Sequence, residues 1–230
     1  MLLDDIIAEL ESYHNSKNIE GLSRFGINAN KAIGINIPTL RKLAKAIGKN
    51  QDLALQLWET EIHEARLLAI FIAEHKKFDE ALMEKWMKDF SSWDICDQAC
   101  GGIFDKTPLA YQKAVEWSKR KKEYEKRAGF ALMAALAIHD KKTSNKPFIS
   151  FLTYIEKEAY DDRNFVRKAV NWALRQIGKR NIVLLEQAIE CAERIKLQDT
   201  KSARWIAADA LREFNSEKIV AQVQKKSRNK

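Results

Sequence analysis

The sequence predicts an all-α chain made of stacked helical repeats, and three observations carry that prediction. Helix breakers are scarce, with 3 prolines and 8 glycines among 230 residues. Between the breakers the apolar residues recur with the 3.6-residue period of a helix rather than the period of two of a strand. Finally, one stretch of sequence recurs 37 residues later: Arg167 opens a segment ending Ala173-Leu174-Arg175, and Arg204 opens one ending Ala210-Leu211-Arg212.

The expected breaks fall at Gly26 to Pro38, Gly48-Lys49-Asn50, Ser91-Ser92, Thr107-Pro108, Asp140 to Pro147 and Gly178 to Asn181. They leave room for about a dozen helices of roughly 10–17 residues. Ser91-Ser92-Trp93-Asp94 reads as a capping box, and Thr107-Pro108 as an N-cap followed by proline in the first turn. Weaker echoes of the repeat begin at Arg66 and Arg127. A period in the high thirties with two helices per unit suggests a HEAT-like solenoid, an α-α superhelix whose concave face suits long partners. An ordinary helical bundle would show the same apolar period. Nothing resembles a linker, so residues 1–230 are expected to form a single HEAT-like repeat domain.

Composition narrows the class. Hydrophobic residues make up 46% of the chain, too many for a disordered basic tail. The net charge of +8 is unevenly placed: residues 1–100 hold 12 Lys/Arg against 16 Asp/Glu, and residues 101–230 hold 28 against 16. A chain so polarised suggests a polyanionic partner on its C-terminal side, with a basic concave face. Three cysteines without a CxxC, two of them Cys96 and Cys100 with no histidine nearby, argue for reduced thiols and against a metal site. No apolar run reaches the ~18 residues of a membrane span, and no basic segment precedes an apolar one at the N-terminus. Secretion and membrane insertion are therefore not expected.

Two constellations could carry chemistry. On the helix expected around Asn164 to Gly178, Val166, Val170, Ala173, Leu174 and Ile177 form the core stripe, and Lys168, Trp172, Arg175 and Lys179 lie opposite. A basic stripe alone is usually a hydrated face. A tryptophan within it has two readings: packing on a neighbouring helix, or facing a nucleic acid whose phosphates the three cations hold. The second constellation is Trp93 and Asp97, at i and i+4 on the helix after Ser91, followed on the same face by Cys100 and Gly101. The small residues leave room for close approach, but an aromatic and an acid at this spacing are by themselves weak evidence of an active site.

Trp93-Asp94-Ile95-Cys96-Asp97 resembles the Trp-Asp-x-x-Asp segment of the AlkD-type DNA alkylation repair family. Asn164 to Arg175 resembles that family's second tryptophan helix, and Glu125-Lys126-Arg127-Ala128 its arginine helix. The resemblance implies a HEAT-like DNA glycosylase that excises cationic alkylated purines, notably 7-methylguanine and 3-methyladenine, without flipping the base. By the same resemblance Asp97 is the catalytic carboxylate, Trp93 and Trp172 are aromatic walls, and Arg127 contacts DNA. Two features depart from the pattern: the loop from His139 to Pro147 is long, and Arg127 to Met133 is more apolar than an exposed helix.

The chemistry needs few groups. A cationic purine leaves as a neutral base and requires no general acid, whereas the oxocarbenium-like sugar it leaves behind is stabilised by a fixed carboxylate. Aromatic faces add cation–π attraction. No metal and no cofactor are implied. The expected partner is alkylated double-stranded DNA, met by a monomer in the cytoplasm at the nucleoid. A non-catalytic HEAT scaffold or structure-specific DNA binder would share the surface without the reaction.

Overall fold

The computed structural model describes residues 2–27 and 30–228, which divide into two compact units at Thr107/Pro108. The charge divides at the same place: Asp105 and Lys106 cancel, so the first 107 residues carry −4 and the remainder +12. Among the described residues there are fourteen α-helices and no strand.

Unit 1 holds α1 (Leu3–Ser12), α2 (Ser16–Arg24), α3 (Ile37–Ile47), α4 (Gln51–Glu59), α5 (His63–Ile72), α6 (Glu80–Lys88) and α7 (Trp93–Gly102). α3, α5 and α7 form one layer, with α4 and α1 packed behind α5. The second layer is bound by aromatic stacking. Trp58 of α4 and Trp86 of α6 lie 3.9 Å apart and 3° from parallel, both wholly buried. The Trp58 indole N–H donates to Asp89 (2.9 Å), and Arg66 of α5 sits 5.1 Å over its ring.

Unit 2 holds α8 (Ala110–Ser118), α9 (Glu123–His139), α10 (Lys146–Glu158), α11 (Asn164–Gly178), α12 (Ile182–Lys196), α13 (Lys201–Phe214) and α14 (Glu217–Arg228). Here α9, α11 and α13 make one layer and α8, α10 and α12 the other, with α14 against α12 and α13. The repeat appears directly in the bonding. Arg127 of α9 reaches Phe165 of α11, 38 residues on, and Arg175 of α11 reaches Asp209 of α13, 34 residues on. The recurring Arg167 lies 5.2 Å over Trp205, the residue after the recurring Arg204.

Helix ends explain why fourteen helices appear where breakers alone mark fewer. Asn15, Asn36, Asn50, Asp79, Asn181 and Thr200 each accept the backbone N–H three residues on, and several of these starts need no glycine or proline. Two expected caps are corrected. Ser92 rather than Ser91 occupies the N-cap of α7, without a side-chain capping bond, which puts Asp94 at the second helical position, where it meets His63. Thr107 does not cap a helix start: its hydroxyl donates to Phe104 O (2.8 Å), Pro108 lies in a turn, and α8 begins at Ala110.

In the segment before α3, the buried Glu64 carboxylate accepts the backbone N–H of Ile33 (2.8 Å), Gly34 (2.7 Å) and Ile35 (3.3 Å). Gly34 has φ +89°, and a Cβ there would overlap the Asn15 carbonyl oxygen. In unit 2 the tightest approach is at Gly129, where a Cβ would overlap Ser118 N and lie 2.7 Å from Ser118 Cα. At Gly178 the obstruction is instead the Phe214 ring, 2.6 Å away.

Alanine in place of a mid-helix glycine such as Gly129 gains roughly 1 kcal/mol of helix propensity, less at Gly178, the last residue of α11, and overpacking costs typically ~1–3 kcal/mol. Backbone cannot yield as a ring can, so Gly129→Ala should lower stability more than Gly178→Ala. Urea unfolding of both variants tests this, and an equal or smaller loss at Gly129 would contradict a backbone-limited approach of α8 to α9.

Candidate functional site

In unit 1, α7 buries Ile95, Cys96, Ala99 and Cys100 against its neighbours. That leaves Trp93, Asp97 and Gly101 half-buried on the other side, whereas Cys100, expected on the same face, is fully buried. The Trp93 indole N–H donates to the Phe25 carbonyl (3.0 Å), which fixes the ring at the start of the helix. Burial pushes the Cys100 thiol well up, and the neighbouring Cys96 and the charge of Asp97 push it further, so this thiol is not a nucleophile. Gln98, next in sequence, accepts from Arg41 of α3 (3.3 Å).

The second acid of the motif has a different role. Asp94 Oδ2 lies 2.9 Å from His63 Nε2 with both side chains nearly buried. Burial alone would lower the His63 pKa and raise that of Asp94. The hydrogen bond and charge of each partner outweigh it, so His63 titrates above its ordinary value and Asp94 below. This pair locks the first turn of α7 to α5, one residue from Trp93 and three from Asp97. Sequence reading did not find it, because His63 lies 31 residues away.

In unit 2, α11 buries the whole expected core stripe: Val166, Val170, Ala173, Leu174 and Ile177 are each 0% exposed. Of the opposite stripe, Lys168 is exposed and Trp172 half-buried. The Trp172 indole N–H meets the Gln176 amide oxygen (3.2 Å) when that amide is turned to face it. Arg175 bonds Asp209 (3.0 Å) and Glu213 of α13, and Lys179 bonds Glu213 (3.0 Å). Two of the three stripe cations are therefore held by carboxylates of the next repeat. Burial raises the Glu213 pKa, but these two cations overcome it and hold the carboxyl below its ordinary value.

Arg127 does not stand on a surface. It is 5% exposed, and its Nη1 donates to the Phe165 carbonyl in the first turn of α11 (2.6 Å). The reason is visible in the apolar run after it: α9 is buried from Glu125 to Ala137 between its neighbours. A residue expected to contact DNA instead sits inside the protein, supporting the helix that bears Trp172.

The long loop after α9 is ordered around Asp140, which accepts from Lys142 N, Thr143 N, Thr143 Oγ1 and Tyr111 Oη. Burial, against the Thr143 hydrogen bond, is the largest influence on Tyr111 and pushes its phenol up to about 12. Among the described residues no group of three or more His, Cys, Asp or Glu could hold a metal ion. No helix there is long and apolar enough to cross a membrane.

The model of the DNA alkylation repair enzyme family matches residues 6–214. The chain belongs to this family. Among solved structures it is similar to one described as a new family of proteins related to the HEAT-like repeat DNA glycosylases with affinity for branched DNA structures. The identity is 19%, over 93% of this chain and 95% of that one, with a TM-score of 0.77. At that identity the likeness shows the fold, which is HEAT-like. No curated protein matches the sequence. The family match covers α7, α9 and α11 and ends at Phe214, before α14.

The His63–Asp94 pair gives a signed pH dependence. The raised His63 contributes stability that is complete below about pH 6.5 and is lost as pH rises through its higher folded value. Asp94 contributes stability present above its ordinary 3.8 and lost as pH falls through its depressed folded value. His63→Gln should therefore cost most stability between these limits, with the difference from wild type shrinking above pH 6.5. Urea unfolding across pH 4–9 checks this, and a difference that grows with pH would be incompatible with the pairing.

Proposed function

We propose that the chain is a DNA glycosylase that hydrolyses the N-glycosidic bond of cationic alkylated purines such as 7-methylguanine and 3-methyladenine. Asp97 is its catalytic carboxylate, and Trp93 and Trp172 are aromatic walls. The observation that carries this reading is the pairing of Trp93 and Asp97 on the unburied side of α7, in a chain whose family is that of a DNA alkylation repair enzyme. Asp97 stabilises the oxocarbenium-like sugar and positions the attacking water. The departing base already carries the positive charge and needs no proton. The partner is alkylated duplex DNA, held chiefly through its phosphates by a monomeric protein. The place of action is the cytoplasm at the nucleoid.

Within this reading the basic residues divide. Lys168 is the exposed residue that meets a phosphate. Arg175 and Lys179, tied to Asp209 and Glu213, set the surface next to Trp172. Arg127 acts from within, by fixing the first turn of α11.

A second reading has its own support. The similar solved structure is described as having affinity for branched DNA, and two of the stripe cations here are already paired with carboxylates. A structure-specific DNA binder without excision activity fits both facts.

Charge reversal separates the stripe residues. Lys168→Glu should weaken duplex binding similarly for all sequences and reduce the salt slope by about one unit, without loss of stability. Arg175→Glu should instead lower the melting temperature, because it sets a third carboxylate beside Asp209 and Glu213. Anisotropy titrations at several salt concentrations, with thermal melts, check both. An unchanged slope for Lys168→Glu would remove it from the interface.

The decisive comparison is single-turnover release of 7-methylguanine from methylated duplex by wild type and Asp97→Asn. The amide is nearly isosteric and should preserve fold and DNA affinity. Excision should fall by ~10²-fold or more, as on removal of other electrostatic stabilisers. Trp93→Ala and Trp172→Ala should each cost less, a cation–π interaction being worth ~0.5–2 kcal/mol. Equal rates for wild type and Asp97→Asn would exclude Asp97 from the reaction, and no release by wild type would favour the non-catalytic binder.

A further inference from the structure

Unit 2 contains a cavity of about 390 Å³ at the ends of α9 and α11, roofed by α14. Its wall carries five cations, Lys141, Lys179, Arg180, Lys218 and Lys226, and one carboxylate, Glu213. That carboxylate is already shared, since it accepts from both Lys179 and Arg175.

Two of the cations are fixed by carbonyl groups, which orient them without cancelling their charge. Arg180 donates to Ala137 O (2.9 Å) and Asp140 O (2.5 Å) and lies 3.8 Å over the Phe148 ring, with its Nε buried and unpartnered. Lys226 Nζ donates to the Lys179 carbonyl (2.7 Å) at the end of α11. Burial lowers the Lys226 pKa first, and the charges of Lys141, Lys179 and Arg180 lower it further. Five cations thus face one carboxylate on this wall, with the charge of Asp140 reaching Arg180 from beside it, and a multiply charged anion would meet more positive than negative groups there. The space exceeds a single phosphate and suits two linked ones.

We propose that this cavity is a phosphate-binding site, begun by Lys141, Lys179 and Arg180 and completed by Lys218 and Lys226 of α14. Because α14 lies beyond the family match at 6–214, two of the five cations belong to a part of the chain outside it. Lys179 follows Trp172 by seven residues, about 10 Å along the helix, or roughly three nucleotide rises along one strand. A nucleic-acid strand lying against Trp172 would bring its backbone to the cavity. Only this source of the phosphate rests on the DNA reading; the site would equally hold a free diphosphate.

The test uses the full chain, with Lys218→Glu/Lys226→Glu as the cavity variant and Lys225→Glu, on the same helix but off the cavity wall, as control. The probes are a labelled unmodified duplex, followed by anisotropy at several salt concentrations, and inorganic pyrophosphate, followed by calorimetry. If the phosphate is DNA backbone, the double variant should raise the duplex Kd several-fold and flatten the salt slope by about one unit for each phosphate no longer held, while Lys225→Glu changes neither. If the ligand is a free phosphate, pyrophosphate should bind wild type and not the double variant, with duplex affinity unchanged. Lys218→Gln/Lys226→Gln, which removes charge but keeps a hydrogen-bond donor at both positions, should give the same direction with a smaller effect. It also replaces the Glu variant if that one melts below wild type. The proposal is overturned if the control weakens binding as much as the double variant, or if the double variant matches wild type with both probes. Neither probe involves base release, so an absence of excision leaves the result readable.

Discussion

The burial of α9 on every side is the constraint from which the rest of unit 2 follows. Gly129 lets its backbone approach that of Ser118 on α8, and no larger residue fits there without separating the two helices. A helix enclosed in this way cannot leave charged side chains unsatisfied, and it carries three in one turn: Glu125, Lys126 and Arg127. Lys126 is met by Glu158 (2.5 Å) and Asp161 (3.2 Å), and Arg127 by the carbonyl of Phe165. Those partners lie in α10, in the turn after it and in the first turn of α11. The demand of α9 for polar partners thus sets where α11 begins, and with it the register of Trp172 and the cations around it.

The same bonding shows what a repeat does to a surface. In a stack of similar helical pairs, residue i meets residues about one repeat further on, and the side-chain bonds of Arg127, Arg175 and Lys179 span 38, 34 and 34 residues. A stripe of cations on one helix therefore faces whatever the next helix carries at those offsets. For α11 that is Asp209 and Glu213, so the charge visible in its sequence is partly cancelled in the fold. Lys168, nearer the start of the helix, escapes this pairing and stays exposed.

Much of this was legible from the residues. The 3.6 period placed Val166 to Ile177 in the core, and all five positions are fully buried. The 37-residue offset identified α11 and α13 as equivalent, and Trp93 and Asp97 do share one side of α7. What was not legible depended on partners distant in sequence. Asp94 reads as a capping residue, but its helix starts one residue later than the motif suggests and its partner His63 lies 31 residues earlier. Arg127 reads as a surface arginine unless the apolar run behind it is taken to mean burial on all sides. The cavity cations come from three separate segments, the loop after α9, the turn after α11 and α14, so no local pattern announces them. Helix number was underread for a related reason: Asn, Asp and Thr caps end helices as firmly as glycine and proline but recur throughout polar segments.

The division of charge along the chain bears on how one protein can meet two opposite demands. Holding a phosphate backbone calls for cations, and unit 2 carries +12. Stabilising a cationic sugar calls for a carboxylate, and a lysine or arginine close to it would oppose the reaction by as much as it helped binding. Asp97 lies in the unit that carries −4, on a helix that itself contributes no Lys or Arg, although Arg41 bonds Gln98 beside it and Lys106 bonds the Gly102 carbonyl at the end of the helix. The two acids of α7 also face different ways, Asp94 toward His63 of α5 and Asp97 on the side that carries Trp93. On the proposed reading, the polarised sequence is a way of gathering a polyanion with one part of the chain while another keeps a negative charge for the sugar.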